Sequence, residues 1–151
     1  MYKHIKKSFI TLFALALISL SPFSFAENAQ QFGKYVVHYN AFRSDTITPE
    51  IAKQYNLPRS NNHILINIAI LEQVLRTTGK PTEAKIEGFA SNLTGQYKPL
   101  HFKEIKEGTA IYYLADARIS DGELLKFDIK ITPKGEKYPM RIRFDKRFFT
   151  Y

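Results

Sequence analysis

The chain predicts an all-β fold, an antiparallel immunoglobulin-like β-sandwich of about seven strands with one short helix. Three observations carry that reading. Short segments of alternating apolar and polar residues recur along the chain, turns built on glycine, proline and asparagine separate them, and one stretch alone has the start and stop signals of a helix.

The elements follow in chain order. Lys3, Lys6 and Lys7 precede an uncharged run, Phe9–Leu20, and Ser24-Phe25-Ala26 places small residues where a signal peptidase cuts. Residues 1–26 are expected to be a signal peptide cleaved after Ala26, and residues 27–151 a single β-sandwich domain. The apolar run, broken off by Pro22, falls short of the roughly twenty residues that a bilayer-crossing helix needs, so no membrane span is expected after cleavage. Glu27–Phe32 is polar and reads as a frayed start. In Tyr35–Phe42, Tyr35, Val37, Tyr39 and Ala41 share one face while His38 and Asn40 lie on the other, which is a strand with one polar side. Thr48 as N-cap, Pro49 and Glu50 in the first turn, and Asn56 and Pro58 as stops predict a helix of about two turns. So short a helix is not stable by itself, and Ile51, Ala52 and Tyr55 would dock it on the sheet.

Ile64–Leu71 has isoleucine at every even position and Leu65, Asn67, Ala69 and Leu71 at the odd ones. Such a strand is expected at the centre of a sheet with both faces covered. Thr78-Gly79-Lys80-Pro81 turns the chain into Glu83–Asn92, where Ala84, Ile86, Gly88 and Ala90 alternate with polar positions. Gln96–Ile105 reads as one further strand with Leu100 and Phe102 facing in, and Pro99 confines it to an edge or a bulge. Lys106-Glu107-Gly108 and Ser120-Asp121-Gly122 read as hairpin turns bracketing the strand Thr109–Ile119. Leu125–Ile131 alternates without a break. Tyr138, Met140, Ile142 and Phe144 repeat the pattern, and Lys146–Tyr151 closes the chain with three aromatics. An eight-stranded outer-membrane barrel is the structural alternative, because it too needs a signal peptide and alternating strands. Greasy residues on both faces of Ile64–Leu71, and a helix interrupting the strand series, speak against it.

Composition narrows the function. Of 22 basic residues three lysines lie in the signal, leaving 19 against 14 acids, a mature net charge of +5. That excess is too thinly spread to point to nucleic acid. There is no cysteine, hence no disulfide framework and no thiol nucleophile or lipid anchor. No Gly-x-Ser-x-Gly elbow or His-Glu-x-x-His helix is present, and the acids Glu104, Glu107, Asp116, Asp121 and Asp128 read as turn chemistry and a solvated sheet face. The expectation is a non-catalytic binding or accessory module that needs no cofactor. The alternative is a small metal-binding protein or enzyme built on His38, His63 and His101, although no pair of them has close ligand spacing. The densest cluster of hydrogen-bonding side chains beside apolar ones lies in Val37–Asn62. His38, Asn40, Tyr55, Arg59 and Ser60 are the candidate binding residues, for a partner that is a protein, a peptide or an envelope component.

Tyr35–Phe42, Pro49-Glu50-Ile51-Ala52, Tyr55, Arg59-Ser60, Asn92–Gln96 and Phe102–Tyr113 resemble a family of small exported proteins of Gram-negative bacteria, defined by a domain of unknown function. The resemblance spans nearly the whole mature chain. It implies a periplasmic location and supplies no activity.

Overall fold

The computed structural model describes residues 28–151, so the signal peptide expected at residues 1–26 lies outside the described residues. The elements are β1 (Asn28–Phe32), β2 (Tyr35–Arg43), a 3-10 turn (Ser44–Thr46), α1 (Pro49–Tyr55), β3 (His63–Glu72), β4 (Lys80–Pro81), β5 (Ala84–Asn92), β6 (Tyr97–Leu100), β7 (Lys103–Glu107), β8 (Ala110–Arg118), β9 (Glu123–Pro133) and β10 (Met140–Phe148). One sheet runs β1-β2-β3-β8-β7, with β4 paired to the end of β3, and the other runs β10-β9-β5-β6. The domain is all-β, with two sheets and one short helix. Both sheets are open ladders, so among the described residues the strands do not close into the alternative outer-membrane barrel.

The core forms where the inner faces meet. Val37 and Ala41 of β2 and the four isoleucines Ile64, Ile66, Ile68 and Ile70 of β3 come from one sheet. Ala90 of β5, Leu125, Phe127, Ile129 and Ile131 of β9 and Ile142 of β10 come from the other. Phe127 stacks on Phe144 at 4.5 Å between ring centres and meets Phe148 edge-on at 6.4 Å, while Tyr39 crosses from the opposite sheet to Phe144 at 4.8 Å. Gly88 is fixed by a close approach, since a Cβ there would sit 3.0 Å from the Asp128 carbonyl oxygen and 3.0 Å from Ile129 Cγ1.

β3 is the middle strand of its sheet, as the isoleucine periodicity predicts, but its outer face is covered only in part. Leu65 is buried beneath α1, whereas Asn67, Ala69 and Leu71 are half-buried. The helix is two turns long and shields only one end of the strand.

Five other expectations are corrected. Ten strands appear among the described residues where about seven were expected. Asn28–Phe32 is not frayed but pairs with Phe32↔Tyr35 through Asn28↔Tyr39, because an edge strand is held by its backbone ladder and needs no apolar side chains beyond Phe32, which packs on the core. Gln96–Ile105 is two strands: the chain leaves one sheet after Leu100 and enters the other at Lys103, and Pro99 sits on edge strand β6. Ser120-Asp121-Gly122 is no hairpin, since β8 pairs with β3 and β7 while β9 belongs to the opposite sheet, so this turn carries the chain across the sandwich. Tyr138 precedes β10 and is 84% exposed, outside the alternation it was assigned to.

Candidate functional site

The segment between β2 and β3 is tied down at its base before it builds anything. The buried Ser44 hydroxyl donates to the Ser60 carbonyl at 2.9 Å and accepts from the Ser60 amide at 3.0 Å, which closes the excursion at its two ends. Arg59 Nε donates to the Ile47 carbonyl at 2.8 Å, and Asn61 Nδ2 to that of Thr150 at 2.7 Å. Arg43 is clamped in a two-pronged pair with Asp45 and also donates to the carbonyls of Phe149 and Tyr151, so the C-terminal residues are stitched to the same end.

On that base stands α1. The Thr48 hydroxyl accepts from the Ile51 amide at 3.4 Å, Pro49 opens the first turn, and Asn56 ends the helix in the left-handed conformation at φ 51°, as the sequence signals predict. Its own backbone N–H, the Thr48 hydroxyl and nearby Arg59 hold the Glu50 carboxyl below the ordinary carboxylate range. Lys103 on β7 donates to the Tyr55 carbonyl at 3.1 Å, placing a cation at the helix C-terminus.

α1 lies over the outer face of the first sheet and leaves a pocket of about 220 Å³ between them. Ile47, Ile51, Tyr55 and Leu57 form the helical wall. Phe42 of β2, Leu65 and Asn67 of β3, Ile105 and Glu107 of β7 and Tyr112 and Leu114 of β8 form the remainder. Register brings these together, because Asn67 faces Asn40 on one side and Leu114 on the other, and Leu114 faces Lys103 in turn. Glu107 is the sole charged liner. Asn67 Oδ1 is sealed from solvent and accepts no hydrogen bond, the one buried side-chain polar atom so placed among the described residues. A buried acceptor without a donor is costly, about 1–3 kcal/mol, which makes the position informative.

Of the residues singled out from sequence, Tyr55 lines this pocket and Asn40 borders its floor through its pairing with Asn67. His38 lies two residues farther along β2. It flanks a second depression, of about 180 Å³, that shares Tyr112 with the first. Arg59 and Ser60 line neither; they hold the loop. Asn67 is not among those candidates, although it is the one polar residue in Ile64–Leu71 and that interruption is a signal in the sequence.

The three histidines are not assembled. His38 pairs with Ala69, six residues from His63 along β3, or about 20 Å at ~3.4 Å per residue, and His101 sits in the link between β6 and β7. Among the described residues no group of three or more His, Cys, Asp or Glu side chains could hold a metal ion. Three of the acids are engaged elsewhere: Asp128 with Arg141 and Arg143, Glu104 with the Tyr113 hydroxyl at 2.8 Å, Asp121 with the Thr150 amide at 2.9 Å. Tyr113 is pushed up to about 12, mainly by burial. The outer face of the second sheet carries a wider hollow of about 690 Å³, where Phe89 stacks on Tyr97 at 4.6 Å among Glu87, Asp128 and Lys130.

Comparison with known proteins adds the following. Residues 29–151 match the model of DUF4426, a domain of unknown function. A crystal structure of a DUF4426 family protein from Pseudomonas aeruginosa is 41% identical, with 82% of this chain and 94% of that one covered and a TM-score of 0.71. FetP of uropathogenic Escherichia coli is 12% identical over 82% of this chain and 94% of its own, with a TM-score of 0.58. A copper-bound variant of FetP is 11% identical over 82% and 95%, with a TM-score of 0.57. At those identities FetP shares the fold alone. No curated protein matches the chain in sequence.

Proposed function

This chain belongs to the DUF4426 family, and from that premise we propose that it is a non-catalytic periplasmic binding module. Its site, on this reading, is the pocket between α1 and the outer face of the first sheet, where it captures a large apolar side chain of a peptide or protein. The observation that carries the reading is a largely apolar pocket walled by Ile47, Ile51, Tyr55 and Leu57 on one side and by Phe42, Leu65 and Leu114 on the other. Size supports a side chain as occupant: about 220 Å³ is below the roughly 300–1,000 Å³ of sites for whole small molecules. The lining supports a non-catalytic role, since Glu107 has no histidine, lysine or serine beside it in the wall to act as base or nucleophile. Tyr55 contacts the occupant, Asn40 and His38 flank it, and Arg59 and Ser60 position the loop. The exported address read from residues 1–26 makes the periplasm the place where it acts.

The sandwich itself is of immunoglobulin-like type on this account. Support comes from strand order: β2-β3-β8-β7 against β10-β9-β5-β6 corresponds to A-B-E-D against G-F-C-C′. Copper, held by the FetP variant, is not extended to this chain, whose histidines are dispersed.

Selection of displayed peptides on the purified mature protein tests the proposal. Enriched peptides should share a large apolar or aromatic residue, and Tyr55→Ala should weaken their capture by about tenfold, the loss of one anchor contact. Enrichment without such a residue, or capture indifferent to Tyr55→Ala, would overturn it.

A further inference from the structure

We propose that the turn after β3 docks the domain on the surface of an anionic phospholipid bilayer, with Leu75 entering the lipid and Arg76 and Lys80 meeting its phosphates. The site is separate from the pocket under α1. That helix covers Leu65, whereas this turn follows Glu72 at the other end of the same ten-residue strand. The Thr77 amide donates to the Val74 carbonyl at 3.1 Å, as does the Thr77 hydroxyl at 3.0 Å, so Leu75 and Arg76 are the corner residues of a closed turn. Leu75 is 93% exposed and Val74 45%, and Arg76 takes the left-handed conformation at φ 64°, which a glycine would adopt without strain. An ordered, strained turn thus holds a large apolar side chain out in water.

Charge selects the occupant. Residues 73–80 carry Arg76 and Lys80 and no acid. A depression of about 520 Å³ beside the turn is lined by Lys34, His38 and Arg76 together with Val74 and Leu75, again without a carboxylate. Glu72 and Glu136, at this end of the sandwich, are both paired with Lys34. Glu136 also accepts from the Tyr35 hydroxyl at 3.0 Å, which brings the turn between β9 and β10 to the same end, and that turn carries Lys137 and the 84% exposed Tyr138. Tyrosine suits the headgroup level of a bilayer. Apolar insertion and attraction to anionic headgroups are the two contributions that hold a peripheral protein on a membrane, and this end supplies both. A protruding tip of two residues is too small for a stable protein interface, which takes about 800 Å² from each partner.

The mature protein is sedimented with vesicles of phosphatidylglycerol and phosphatidylethanolamine, and with vesicles of phosphatidylcholine alone. It should bind the first about tenfold more tightly than the second, and Leu75→Ser and Arg76→Gly should each weaken that binding about tenfold without lowering the melting temperature. The chain contains no tryptophan, so Leu75→Trp places a single reporter at the tip. Its emission should shift to the blue on the anionic vesicles and be quenched by bromine on the acyl chains. Equal binding to both kinds of vesicle, binding indifferent to Leu75→Ser, or an unshifted emission would overturn the docking. Binding of glycerol phosphate in solution without sedimentation would make the depression a site for a soluble anion, and dimerisation abolished by Leu75→Ser would assign the tip to a second copy. Either result overturns the lipid.

Discussion

Asn67 shows how much one side chain can disclose. Any isoleucine or alanine at that position would have made Ile64–Leu71 an unbroken apolar run; Asn67 instead places an amide in the wall of the pocket beside α1, with its Oδ1 sealed from solvent and without a donor. At the same scale, Glu83 governs acid stability. It accepts from Lys106 and, at 2.6 Å, from Lys134, and these two ammonium groups hold its carboxyl at about 2, below its ordinary 4.5. The native state binds that proton less readily than the unfolded chain does. Its contribution is therefore complete above pH 4.5 and is lost as pH falls towards 2. All three groups reach solvent, so the effect is modest and screened by salt. Urea unfolding across this pH range should show that Glu83→Gln flattens the decline. A variant that loses stability as steeply as its parent would show that the cluster contributes nothing. The candidate residues named from sequence divide physically: Tyr55 reaches the pocket because helical periodicity carries it under α1, while Arg59 and Ser60 spend their donors on loop carbonyls and side chains.

At the scale of elements, α1 is the part whose behaviour most directly serves the proposed site. Thr48→Ala removes the acceptor for the Ile51 amide. At 3.4 Å that bond is long, which places the cost near the low end, about 0.5 kcal/mol, of what a lost cap takes. Hydrogen exchange should show protection falling over Ile51–Tyr55 while the amides of Ile64–Leu71 stay slow. Equal loss in both segments would mean that α1 unfolds only with the sheet and is no separate wall. The cap and stop residues of α1 were legible because each acts on its nearest neighbours in sequence. The isoleucine period of β3 and the alternation of β9 were legible for a related reason, since burial of one face imposes a period of two. β1 was not, because its polar residues gain their order from the backbone of β2. The sheet switch after Leu100 and the crossing at Ser120–Gly122 were not, because a turn residue says that the chain reverses and not which sheet receives it.

For the molecule as a whole, the core and the site occupy opposite faces of the same sheet. Isoleucines at even positions of β3 hold the two sheets together, and odd positions of the same strand floor the pocket. Stability and binding are thereby divided between two sides of one strand, and the binding side could be altered without disturbing the core. The fold class was readable from periodicity alone, whereas the pocket required the register of β2, β3, β7 and β8 to be known, and no local pattern encodes that pairing. The central claim, that partners dock between α1 and the first sheet, is met most directly by an amide-resonance titration of nitrogen-labelled mature protein with a peptide enriched in the selection of displayed peptides. The account predicts shifts that saturate and cluster at Ile51, Tyr55, Asn67 and Leu114. Shifts gathered around Phe89 and Tyr97 on the opposite sheet would contradict it.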